Sequence, residues 1–194
     1  MKLAHAPKRL IGLTGSIASG KSAALDFFAQ AGAYVLSADA LVHELYQRPE
    51  VQQQFKKWFG SAERSQIAHI VFSSAQARRR VEKYLHPLVW QLALERLAAA
   101  DANWAVFEAP LLFEVGWDTR TDLTLLIVAD PATLKTRLAQ RGLSQAAYQR
   151  RRCLQMSDEE KMRRADIVIF NNSTKQALKL KIQRIYQTLQ ALYA

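Results

Sequence analysis

Short, continuously apolar runs alternate with longer amphipathic stretches along this chain. The runs Leu10–Thr14, Tyr34–Ser37, Trp104–Glu108, Leu123–Ala129 and Ile167–Phe170 each end in a loop or a helix-start signal. Strands buried on both faces carry that pattern, so the five runs predict an α/β fold with a five-stranded parallel sheet flanked by helices. Helical spacing fills the intervals. Ala23–Gln30 follows a glycine turn, and the stretch Ala40–Ala100 reads as almost continuous helix, too long for one crossover and so an inserted helical region. Pro131–Arg141 opens with Pro behind Asp130, a plausible N-cap, and Ser144–Gln155 opens with another cap residue. In the last helix Leu178, Ile182, Ile185, Leu189 and Leu192 form one stripe, which predicts packing on the sheet.

Composition narrows the class. The chain has 194 residues, 49% hydrophobic and 23% charged, which fits one globular domain with an inserted region and excludes a disordered or fibrous chain. Its longest apolar run, Leu123–Ala129, is far short of the ~20 residues of a membrane span, and Leu10–Leu13 is too short for a signal-peptide core. The lone Cys153 has no internal partner, so a reducing compartment is expected, the cytoplasm by default. The net charge of +10 points to anionic partners. Its cations gather at Arg78–Arg80, Lys135/Arg137/Arg141, Arg150–Arg152 and Lys161/Arg163/Arg164, and along the last helix at Lys175, Lys179, Lys181 and Arg184. Each cluster taken alone reads as a solvated helix face.

The strongest signal is Gly15-Ser16-Ile17-Ala18-Ser19-Gly20-Lys21-Ser22, an instance of G-x-x-x-x-G-K-S/T between a strand and a helix. Glycines at its ends allow backbone angles that turn successive N–H groups onto phosphate oxygens, and the helix adds its positive N-terminus. Lys21 is placed for the terminal phosphates and the Ser22 hydroxyl for Mg²⁺. A nucleoside triphosphate is implied. No Asn-Lys-x-Asp guanine-reading string occurs, and the length leaves little room for a motor, so a small kinase is the economical reading.

Such a kinase needs a group to orient the acceptor hydroxyl, cations for the migrating phosphoryl, and an acceptor pocket. Asp39, just past the second strand, is the candidate base, with an N-cap of the helix from Ala40 as its bland alternative. Glu108 ends the third strand and is a candidate for the Mg²⁺ water shell, or else a simple partner of a nearby cation. Arg137, Arg141 and Arg150–Arg152, on two helices joined at Gly142-Leu143, would suit a lid. The inserted region is the natural acceptor site. It holds His43, His69 and His86, which show no metal-ligand spacing, and His86 before Pro87 could simply shape a helix entry.

With these pieces in order the chain resembles the dephospho-CoA kinases over nearly its whole length. Ile11-Gly12-Leu13-Thr14 leads into the loop as in that family, and Ser37-Ala38-Asp39 falls where it has Asp-Ala-Asp. Arg64 with Ile70-Val71-Phe72-Ser73, Leu85-His86-Pro87, and Ala109-Pro110-Leu111-Leu112-Phe113-Glu114 match its further motifs. Arg137-Leu138 through Arg141, then Gln155, Ala165-Asp166 and Asn171 keep its order and spacing.

The resemblance implies ATP- and Mg²⁺-dependent phosphorylation of the ribose 3′-hydroxyl of dephospho-CoA, the last step of coenzyme A synthesis. It implies a nucleotide-binding core (8–39, 103–135 and 165–194), a helical acceptor-binding region (40–102) and a lid (136–164). Asp39, Lys21 and Arg141 would be catalytic. Gly15, Ser16, Ile17, Ala18, Ser19, Gly20, Lys21, Ser22, Ala23, Arg137, Arg141 and Asn171 would hold ATP, with Ser22 on the metal. Asp39, Arg64, His86, Pro110, Leu111 and Leu112 would bind the acceptor. A membrane partner is not expected, and nucleic acid is disfavoured despite the charge. The departures are Ser16 and Ala18 where the family usually has glycines, Ser37 for one of two acids, and a short Phe59–Gln66 stretch. A kinase for a nucleotide or sugar would share the core, and a non-catalytic nucleic-acid-binding module is the third reading.

Overall fold

The computed structural model describes residues 9–142, 148, 149 and 152–193. It divides into two compact units, residues 37–99 and the remainder.

The larger unit is built on strands β1 (Arg9–Gly15), β2 (Tyr34–Ser37), β3 (Trp104–Glu108), β4 (Leu123–Val128) and β5 (Ile167–Phe170), in the order β2-β3-β1-β4-β5. β1 pairs in parallel with β3 and with β4, and β4 with β5. Every residue of β3 is buried, as expected of a strand covered on both faces. Gly12 lets the chain after β3 lie close to β1, because a Cβ there would stand 2.8 Å from a methyl of Leu112.

Helices α1 (Lys21–Gln30) and α8 (Lys175–Leu192) cover one face, where Phe27, Phe28, Leu178, Ile182, Tyr186 and Leu189 join the apolar side chains of the strands. Helix α6 (Pro131–Gln140) starts from Asp130, whose side chain accepts from Thr133 N at 2.7 Å, so the predicted cap stands. Helix α7 (Asp158–Arg164) opens with a capping box between Ser157 and Glu160.

The smaller unit contains helices α2 (Ala38–Leu45), α3 (Pro49–Phe59), α4 (Arg64–Ser73) and α5 (Ala75–Ala98). Phe55 is fully buried and its ring lies among those of Tyr46, Trp58, Phe59 and Tyr84.

Several expectations are corrected here. Helix α1 begins at Lys21, directly out of the loop, rather than at Ala23. Helix α2 begins at Ala38 behind Ser37, which makes Asp39 an exposed first-turn acid and not an N-cap. Pro87 does not open a helix: it lies inside the 24-residue α5, on an exposed position, where it forgoes one backbone hydrogen bond. In α8 Tyr186 is buried, whereas Leu192 is 70% exposed near the chain end. β4 stops at Val128, one residue short of the predicted end. The charge cluster Lys161/Arg163/Arg164 lies on a helix, Asp158–Arg164, which the sequence pattern does not predict. Of the predicted helix Ser144–Gln155, residues 144–147 and the arginines at 150 and 151 lie outside the described residues, while Cys153–Gln155 form a turn and a bend, so the predicted helical end at Gln155 is corrected. Among the described residues no helix is long and apolar enough to cross a membrane.

Candidate active site

The loop after β1 follows from its residue types. Gly15 and Gly20 hold φ values of 149° and 113°, where a side chain is strained, and their surroundings leave no room for one. A Cβ on Gly15 would meet the Ile127 carbonyl oxygen at 2.3 Å, and one on Gly20 would meet Asn171 Nδ2 at 2.2 Å. Ala18 is the sole described non-glycine residue with positive φ, at 64°. Such a residue carries a left-handed penalty of ~1–2 kcal/mol. Its methyl, however, is buried with Ala129, Leu134 and Leu138, and that packing offsets part of the strain.

Two side chains grip this loop from its carbonyl side. Asn171, buried at the end of β5, donates from Nδ2 to Ser19 O at 2.7 Å. Arg137 on α6 donates to Ser19 O at 3.2 Å and to Ala18 O at 3.5 Å, and its other nitrogen reaches Asn171 O at 2.9 Å. In a trans peptide the N–H points opposite to the C=O. Anchoring the Ser19 carbonyl therefore aims the Gly20 N–H away from Asn171, toward the open side of the loop. Arg137 and Asn171, expected to hold nucleotide, are thus brought to the loop as its braces. The Ser19 hydroxyl is buried without a hydrogen-bond partner.

Lys21 donates to Ser16 O at 3.2 Å and lies 4.0 Å from the buried carboxylate of Glu108. Glu108 therefore partners the loop lysine, the plainer of its two readings. Ser22 is exposed in the first turn of α1, and Ala23 is half-buried behind it. Ser16, buried, donates to Asp158 at the start of α7, and Asp158 also faces Arg152 at 3.8 Å. Arg152 in turn donates to Met156 O at 2.8 Å. A cavity of about 740 Å³ opens beside the loop, lined by Ala129, Leu134, Lys135, Leu138, Arg152 and Asp158 among others. That volume is in the range of small-molecule sites. Arg141 caps the end of α6 and is exposed.

The segment after β3 is tied to the same loop. Thr14, one residue before Gly15, donates to Pro110 O at 3.4 Å. Leu111 is half-buried, while Leu112 is fully buried and packs on β1, so its side chain is core.

The smaller unit gathers a second set. Asp39 and His43 are four residues apart on α2, which puts them on one helix face. Arg64, first residue of α4, lies 2.9 Å from His43 Nδ1 and 5.9 Å from the Tyr46 ring centre. His43 joins the site candidates through this contact, and its i+4 spacing from Asp39 is the mark of it in the sequence. His86, half-buried in α5, titrates below the ordinary histidine value because burial disfavours the imidazolium, with Glu82 opposing. Burial likewise raises Tyr46, with Arg64 opposing. Among the described residues no cluster of three or more His, Cys, Asp or Glu could hold a metal.

A parallel sheet in this strand order, with a phosphate-type loop between β1 and α1, defines the class of phosphate-loop kinases. The solved shikimate kinase of Acinetobacter baumannii shares the fold, superposing with a TM-score of 0.52 at 14% identity over 94% of this chain and 93% of its own. The dephospho-CoA kinase of Campylobacter jejuni superposes with a TM-score of 0.68 at 23% identity, over 95% and 98% of the two chains. A Thermus thermophilus crystal structure superposes with a TM-score of 0.83 at 32% identity, over 98% and 99%. The dephospho-CoA kinase of Syntrophotalea carbinolica is 36% identical over 178 residues, 85% of this chain and 84% of its own. That of Aquifex aeolicus is 32% identical over 190 residues, 92% and 96% of the two. The sequence profile of the dephospho-CoA kinases matches residues 9–177, and this chain belongs to that family.

Proposed function

We propose that this kinase transfers the terminal phosphoryl group of ATP to the ribose 3′-hydroxyl of dephospho-CoA, giving coenzyme A and ADP, the last step of coenzyme A synthesis. The observation that carries the reading is the braced loop Gly15–Ser22 joined through Thr14 to the Pro110 segment, on a chain whose family match spans both. Phosphoryl transfer asks little covalent chemistry of a protein, so position and charge supply the catalysis. The loop amides and the first turn of α1 hold the phosphate oxygens. Lys21, kept in place by Ser16 O and Glu108, neutralises charge on the transferring group. Arg141, exposed at the end of α6, is free of the loop-bracing role of Arg137 and supplies a further cation.

On the acceptor side Asp39 accepts the proton of the 3′-hydroxyl as its oxygen bonds to phosphorus and the bridging oxygen leaves with ADP. His43 shares its helix face, Arg64 bonds His43, and the Arg64 guanidinium offers a fork for an acceptor phosphate. His86, Pro110 and Leu111 complete the acceptor contacts, and Leu112 supports them from the core. Ser22, exposed in the first turn of α1, would hold Mg²⁺ together with the nucleotide's own oxygens, because this ion is held mainly by phosphates and water rather than by an all-protein cage. It would neutralise charge on the phosphates. Neither a membrane nor nucleic acid is a partner on this reading, and the cytoplasm is its location.

The test is ADP release by the purified protein with ATP, Mg²⁺ and a panel of acceptors. Dephospho-CoA should be turned over at least a hundredfold faster than AMP, shikimate or gluconate. Equal or faster turnover of any of these would overturn the assignment.

A further inference from the structure

Lys161 stands among surface cations in the sequence, yet its side chain is fully buried. Its ammonium donates to Pro110 O at 2.9 Å and lies 2.9 Å from Glu114 Oε1. The same Glu114 oxygen accepts from Met156 N at 2.7 Å, and Gln155 Nε2 reaches Pro110 O at 3.5 Å. Thr14 approaches that carbonyl from β1. One buried cation therefore holds both ends of the segment 110–114 and, through Glu114, the chain that returns from the lid region to α7.

A lysine is almost never fully buried unless paired, and a packed apolar side chain would serve stability at this place as well or better. What the ion pair adds is direction: one ammonium held between two oxygens, one on each end of the segment, sets its register against the phosphate loop in a way that apolar contacts do not.

We propose that Lys161 is a positioning residue that couples the acceptor-side segment 110–114 to the returning arm of the lid, so that the acceptor is held in register with the loop. It touches neither substrate and acts through Pro110 and Glu114. This inference rests on the functional reading above. It predicts an asymmetric kinetic signature. In Lys161→Met the KM for dephospho-CoA should rise about tenfold or more, within the roughly hundredfold loss a misplaced substrate group produces. The KM for ATP should change less than threefold, because Arg137 and Asn171 brace the loop independently.

Two measurements separate positioning from plain stability. The double variant Lys161→Met/Glu114→Leu replaces the pair with apolar side chains, so its melting temperature should return toward that of the parent while the raised acceptor KM persists. Amide exchange measured on the full chain should quicken at least tenfold across 110–116 and 152–157 in Lys161→Met, and stay unchanged in β1 and β4. If the double variant regains the parental KM along with its melting temperature, or if exchange in 110–116 is unaltered, Lys161 is structural and the proposal falls. Failure of the parent protein to turn over dephospho-CoA strikes instead at the functional reading, and the exchange result then judges the coupling alone.

Discussion

Ala18 holds a backbone conformation that favours glycine, and replacing it with glycine tests the description of the loop quantitatively. At φ 64° the alanine carries a left-handed penalty of ~1–2 kcal/mol, which glycine would relieve. Glycine would also forfeit the burial of a methyl that is only 4% exposed, about 0.8 kcal/mol. It would further loosen the unfolded chain by roughly 0.4–1 kcal/mol. These opposing effects nearly cancel. Ala18→Gly should change stability by less than about 1 kcal/mol, a shift in melting temperature under ~4 °C for a chain of this size. Ala18→Val shares the backbone strain, adds branching at Cβ and forces two more carbons against Ala129, Leu134 and Leu138. It should lose about 2 kcal/mol or more. Parallel thermal and urea unfolding of the three proteins decides the matter. A glycine variant that loses over 2 kcal/mol would show that no left-handed strain is relieved. A valine variant as stable as the parent would show that the methyl is not packed as described.

Asp39→Asn should retain nucleotide affinity and lower turnover with dephospho-CoA by ~10²–10⁴. Equilibrium ATP binding alongside initial rates checks it, and a near-parental rate removes Asp39 from the chemistry. Burial keeps His86 below the ordinary pKa of ~6.5 that it has when unfolded, so under acid the unfolded state takes up a proton that the folded state refuses. Its contribution to stability is full above pH ~6.5 and is lost as the pH falls below that value. Melting temperatures recorded between about pH 8 and pH 5.5 should drop less steeply for His86→Gln than for the parent; equal slopes would contradict the assignment.

The strands were readable because a sheet covered on both faces demands continuous apolar runs, and the loop because its glycines and Lys21 form a compact local pattern. The braces were harder to read for a physical reason. Arg137 and Asn171 act across 118 and 152 residues of sequence on the carbonyls of Ser19, and nothing local marks a side chain that will bond a distant backbone. Lys161 misled in the other direction: with Arg163 and Arg164 beside it, charge alone reads as solvent exposure, although helical spacing rotates it to the buried side. Asp39 and His43 share a face by simple i+4 arithmetic, but the partnership with Arg64 required the fold of α2 and α4. Pro87 was misread because a proline at an exposed position inside a long helix is tolerated when packing on the opposite side holds the helix together.

The most direct measurement is a crystal structure of the protein with a non-hydrolysable ATP analogue, Mg²⁺ and dephospho-CoA. The triphosphate should be ringed by the amides of Gly15–Ser22, with Lys21 on its terminal phosphate and the ribose 3′-hydroxyl within hydrogen-bonding distance of Asp39. A triphosphate bound away from that turn, or an acceptor hydroxyl remote from Asp39 in the closed complex, would contradict this arrangement.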